Sequence, residues 1–151
     1  GFQGKNPRQS GLNIFIPAII FYMILILAGW FTLGLALLWE RLLAGLGLGT
    51  RYRVGYAAPI SEELLKYITF NFLSLAPLAF YGIFGLGEGL FEAWKLKKPL
   101  DFLVIFSGFA THFIFGLFFL VPGPGWVSLL LAITGHIIWN NLILNMTQAK
   151  P

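Results

Sequence analysis

The chain has no cysteine among its 151 residues, which removes disulfides, thiolate metal ligands and a cysteine nucleophile together. Charge is scarce too: ten lysines and arginines stand against six acids. Asp101 is the one aspartate, so an aspartyl intramembrane protease, which needs two within its spans, is excluded. No HExxH string occurs, which excludes the zinc protease built on that motif. Ser107 is the best candidate for a serine–histidine dyad, yet no serine stands in a Gly-x-Ser-x-Gly setting. These absences leave five glutamates and two histidines as the groups able to do chemistry.

Apolar residues dominate, at 58% hydrophobic and 17% aromatic, with a mean hydropathy of +0.80. A soluble domain of this size leaves roughly a third of its unfolded area exposed after folding, so the natural solvent for this chain is the lipid bilayer. A spanning helix takes about 20 apolar residues, and proline and glycine punctuation divides the chain into about five. The expected fold is all-α, a polytopic membrane bundle with spans near 14–39, 58–75, 77–94, 100–121 and 126–146. Together they form a single transmembrane domain over 14–147, preceded by a flexible polar segment, 1–13. Pro17 suits the first turn of span 1.

With five spans, the amino end and the turns after spans 2 and 4 share one side, with Lys5 and Arg8. The other side carries Arg41, Arg51, Arg53, Lys95, Lys97, Lys98 and Lys150. The excess of positive charge assigns that second side, with the carboxyl terminus, to the cytoplasm. The basic residues therefore read as topology signals, not as a nucleic-acid surface.

Against this background, "APISEELLKYITF" is anomalous, because it sets Glu62, Glu63 and Lys66 within an apolar run. Each charge at the bilayer centre costs about 2.5–3.5 kcal/mol, so such groups persist when they face one another or water. Glu62 and Glu63 lie roughly 5–10 Å in from the basic side, with Glu88 in span 3 at about the same depth. His112 in span 4 and His136 in span 5 lie roughly 15–18 Å in, while Glu92 is near the interface and Asn140 is one turn from His136. Four spans thus contribute polar groups to one level, which points to a buried pocket open to the cytoplasm. "HIIWN" puts His136 and Asn140 one turn apart on a common face, an arrangement that can donate to a developing oxyanion. A glutamate at such a level is suited to take a proton from water.

Several of these features also have structural readings. Glu62 and Glu63 fit a helix start, where carboxylates complement the dipole, with Lys66 as an i,i+4 partner of Glu62. Gly108 and Gly116 flank His112 at i−4 and i+4, a small-residue face that admits a close helix and makes the histidine an interhelical hydrogen bonder. Glu92 lies within reach of Lys95, and Asn141 points about 100° from the His136 face.

The order of motifs resembles the PrsW group within the CAAX-protease-like superfamily of intramembrane glutamate proteases. "EELLK" resembles its EExxK motif, and "GLGEGLFEAW" its glycine-rich second motif with Glu92 on the usual glutamate. "HFIFG" resembles the third motif, and "HIIWN" fits HxxxN. The resemblance covers about residues 55–145. It implies Glu62 as the catalytic glutamate, with His112 positioning and activating water. His136 and Asn140 would form the oxyanion site, with Glu63 and Lys66 supporting the pocket. Two positions depart from the pattern: Glu88 stands where an aromatic is usual, and Ala93 where an asparagine is usual.

The expectation is a peptide-bond hydrolase with catalytic residues Glu62, Glu63, His112, His136 and Asn140 and supporting residues Lys66, Glu88 and Glu92. It requires no cofactor, and its substrates are membrane-embedded or lipidated proteins. Two alternatives stand beside it. One is a zinc site of His112, His136 and Glu62. The other is a non-catalytic scaffold, a subunit of a membrane-protein complex, as several relatives in the wider superfamily are thought to be. In the pocket so expected, span 1 packs outside and adds no polar group.

Overall fold

The computed structural model describes residues 7–97 and 101–148. Helices α1 (Pro7–Gly45), α2 (Thr50–Tyr52), α3 (Ala58–Phe72), α4 (Pro77–Lys95), α5 (Phe102–Leu117) and α6 (Gly125–Gln148) account for nearly all of it, with no strand among the described residues. The protein is an all-α membrane bundle. Three stretches are long and apolar enough to cross a membrane: Pro17–Gly45, Phe102–Leu120 and Gly125–Met146. The remaining two expected spans correspond to α3 and α4, the helices that carry Glu62, Glu63, Lys66, Glu88 and Glu92.

The bundle is inverted relative to a soluble protein. Phe72, Leu103, Phe102 and Leu27 are exposed, whereas Glu63 and Lys66 are fully buried and His112 and His136 nearly so. Water does not tolerate that much contiguous apolar surface; lipid does. A core of Leu25, Phe70, Phe80, Tyr81 and Phe115 closes one end of the polar group, and Leu33, Ala36 and Phe84 pack beside it.

Helix α1 starts earlier than composition suggests. It begins at Pro7, so Pro17 lies inside it and not at its first turn. A proline removes one backbone donor from a helix, and the rest of the 39-residue helix continues on both sides of it. Residues 1–6 of the expected flexible segment, together with Lys98 and Lys150 of the basic side, lie outside the described residues.

The entry to α3 differs more from expectation. Residues 50–72 are one continuous helix, because α2 passes through a π-helical segment, Arg53–Ala57, directly into α3. Proline explains the wide turn. The amide of Ala58 bonds the carbonyl of Arg53, five residues back, and the next two carbonyls, of Val54 and Gly55, fall opposite Pro59, which has no N–H. Asn140 Nδ2 donates to Val54 O at 2.9 Å and Asn141 Nδ2 to Gly55 O at 3.0 Å. Two adjacent asparagines on α6 thereby replace the donor that Pro59 lacks. Glu62 and Glu63 consequently lie a dozen residues inside a helix, and the helix-start explanation for the doublet does not hold.

Helices α4 and α5 cross with their backbones in contact. A Cβ at Gly85 would lie 2.5 Å from Gly108 O, and one at Gly89 2.6 Å from Ile105 O. The expected small-residue face of α5 is therefore matched by one on α4, while Gly116 packs under Tyr81. This crossing brings Glu88 against His112. Asp101 starts α5 by accepting from the amides of Leu103 and Val104, a side-chain N-cap.

Candidate active site

Glu63 is the hub of the buried polar group. Its Oε1 accepts from Lys66 Nζ at 2.7 Å and from His136 Nδ1 at 2.9 Å, and its Oε2 accepts from Tyr81 OH at 2.6 Å. A carboxylate with three donors and no exposure is satisfied, and Glu63, expected among the catalytic residues, lines neither of the two cavities described below.

Lys66 extends the network. It donates to His112 Nδ1 at 3.0 Å, and its ammonium lies 4.1 Å from the centre of the Phe84 ring, a favourable cation–π contact. Because an ammonium only donates, His112 Nδ1 accepts and its proton resides on Nε2, which donates to Glu88 Oε2. Both ring nitrogens of His112 are engaged. The same reasoning fixes His136: its Nδ1–H is committed to Glu63, which leaves the Nε2 lone pair for the interior.

Glu62 is the exception. Its Oε2 is buried and has no hydrogen-bond partner among the described residues. It lies 3.9 Å from His136 Nε2 and 4.0 Å from Lys66 Nζ. The salt bridge expected between Lys66 and Glu62 therefore goes mainly to Glu63. Glu62 lines a polar cavity of about 390 Å³ together with Glu40, Glu88, Glu92, Lys95 and Asn140. A second cavity, of about 370 Å³, runs between α5 and α6 past Ser107, His112, His136 and Trp139 and shares Glu88, Glu92 and Asn140 with the first. Ser107 thus faces the cleft, but no hydrogen bond joins it to either histidine.

The structure brings the expected groups together: the rings of His112 and His136 stand 5.2 Å apart, edge to face. It redistributes their partners. Glu62 stands near both histidines: its Oε2 lies 3.9 Å from His136 Nε2, and His112 brings a ring nitrogen within 4.8 Å of its carboxylate. Asn140 spends one amide hydrogen on Val54, and Glu92 pairs with Lys95 at 2.6 Å. One expectation is overturned. Helix α1 contributes Glu40 to the wall of the polar cavity, because the helix runs to Gly45 and carries this residue level with the end of α4.

Tyr81 and Glu40 were not singled out by the sequence. Tyr81 lies seven residues before Glu88, two helical turns along one face, and that spacing was the available signal. For Glu40, at the end of an apolar run, there was none.

Glu62, His112 and His136 each bring one ligand atom within 4.8 Å of the others. Zinc bound at about 2.0–2.1 Å draws its ligands closer and requires a lone pair from each histidine. Both nitrogens of His112 are occupied, and the Lys66 ammonium lies beside this trio. To offer zinc a lone pair, His112 would have to give up its contact with Lys66 or with Glu88.

Comparisons of the chain with protein-family models, with curated proteins and with solved structures return no match.

Proposed function

We propose that the protein is an intramembrane peptide-bond hydrolase in which Glu62 and His136 activate water. The observation that carries this reading is the unpartnered Oε2 of Glu62, 3.9 Å from the His136 Nε2, beside Glu63 and Glu88, which are both engaged. One water spans that separation by donating to both. The water oxygen bonds to the scissile carbonyl carbon while its proton passes to the Glu62–His136 pair. The C–N bond then breaks and the proton leaves with the amine.

Glu63 holds His136 in the tautomer this step needs, as a carboxylate orients an imidazole in other hydrolases. Glu88 and Lys66 hold His112 beside it. Asn140 lines both cavities with one amide hydrogen still uncommitted, which makes it the donor to the oxyanion. Substrates are membrane-embedded or lipidated proteins, reached through the cleft between α5 and α6, whose outer faces are apolar.

The test uses purified protein in nanodiscs with membrane-tethered fluorogenic peptides. Glu62→Gln is expected to lower cleavage by on the order of 100-fold or more, and unchanged cleavage refutes the assignment. Chelator treatment is expected to leave the rate unchanged, and stoichiometric zinc in the purified protein would reverse that expectation.

A second reading, a non-catalytic assembly subunit, draws on the saturation of Glu63, Lys66 and His112 by one another. Its mark would be a stable stoichiometric complex with other membrane proteins, formed equally well by Glu62→Gln.

A further inference from the structure

Beside the candidate active site, a further group of charges shares a cavity. Between the end of α1, the π segment and the end of α4 lies a groove of about 280 Å³ whose wall holds Arg41, Arg53 and Lys95, with Phe91 and Trp94 as its apolar side and Glu40 as its acid. Arg53 Nε is buried there without a hydrogen-bond partner among the described residues. An unmet buried N–H of a guanidinium is costly, so the position calls for an acceptor from outside the chain. Three cations and one carboxylate leave the wall with two positive charges, although Lys95 also bonds Glu92.

We infer that this groove binds the phosphate diester of an anionic phospholipid. Two arginines offer forked donors that match a phosphate. Their placement agrees with a headgroup: Arg41 stands four residues before the end of α1 and Lys95 closes α4, where apolar helix gives way to charge. Trp94, exposed beside Lys95, is the residue type that settles at the boundary between lipid and water. Glu40 selects the charge state, since a carboxylate in the wall disfavours a dianion and tolerates a diester monoanion. The groove shares Glu40 and Lys95 with the polar cavity of Glu62, so a bound headgroup sits at that cavity's mouth. The groove's own side chains suffice for this binding, whether or not the protein cleaves peptides.

The experiment titrates the full chain in neutral detergent with short-chain phosphatidylglycerol, with phosphatidylcholine of the same chains, and with inorganic phosphate, following the unfolding temperature. Phosphatidylglycerol is expected to raise it saturably, and phosphatidylcholine to leave it unchanged. Arg53→Gln and Arg41→Gln are each expected to weaken the apparent affinity about tenfold, the loss of one charged hydrogen-bonding partner. Arg53→Lys should recover only part, because it restores charge without the fork. Arg41 is exposed, so its variant carries the test if Arg53→Gln does not fold. Equal shifts with the two lipids, or variants that respond as the parent does, overturn the inference. An equal shift with inorganic phosphate overturns the lipid assignment and leaves a site for free phosphate.

Discussion

At the residue scale, the site turns on which of two adjacent glutamates is left without a partner. Glu62 and Glu63 differ by 100° on α3, and that rotation decides their chemistry. Glu63 points to Lys66, Tyr81 and His136 and is saturated; Glu62 points to the cavity. Removing Lys66 should therefore harm the fold before it harms the chemistry. Lys66→Met leaves a buried carboxylate without its cation and is expected to destabilise the protein by about 3–5 kcal/mol. Adding Glu63→Gln to Lys66→Met should recover a large part of that loss, because Glu63 is then no longer a buried carboxylate stripped of its cation. Unfolding curves of the two single variants and the double variant check this. Strict additivity would show that the pair does not act as one unit.

At the element scale, two helix contacts build the site, and both come from a missing atom. The lack of an N–H on Pro59 leaves carbonyls for Asn140 and Asn141, which ties α6 to the π segment. The lack of a Cβ on Gly85, Gly89 and Gly108 lets α4 and α5 touch. Gly85→Ala would set a Cβ 2.5 Å from Gly108 O and 2.8 Å from the His112 Cβ. Overpacking of this kind costs about 1–3 kcal/mol, and here it also separates Glu88 from His112, so peptide cleavage should fall with stability. Gly34→Ala is the contrast, because no atom lies within 4 Å of the added methyl. It should be neutral or stabilise α1 by up to about 1 kcal/mol. Equal losses from the two substitutions would show that the α4–α5 contact is not what tightens the site.

At the scale of the whole molecule, three apolar helices place the protein in a membrane, and the five-span arrangement with its basic side in the cytoplasm remains our proposal. The absence of native cysteine makes it directly testable. Single cysteines at Arg51 and at Gly123 are expected to react with a membrane-impermeant thiol reagent from opposite sides, Arg51→Cys from the cytoplasmic one. Labelling of both from the same side would refute the arrangement.

The all-α class, the membrane setting and the identity of the polar residues were legible in the chain itself. Apolar length and proline and glycine punctuation are local properties, and a charge inside an apolar run announces its own cost. The convergence of "EELLK", "HFIFG" and "HIIWN" at one depth was legible for the same reason, since depth follows from distance along a helix. What only the tertiary structure decided was pairing. Which carboxylate meets which imidazole depends on helix rotation and crossing, to within an ångström, and one residue is the difference between Glu62 facing a cavity and Glu63 sealed under Tyr81. Sequence spacing constrains neither angle. The continuous helix through Pro59 was equally out of reach, because the donors that make it tolerable lie on α6, more than eighty residues away.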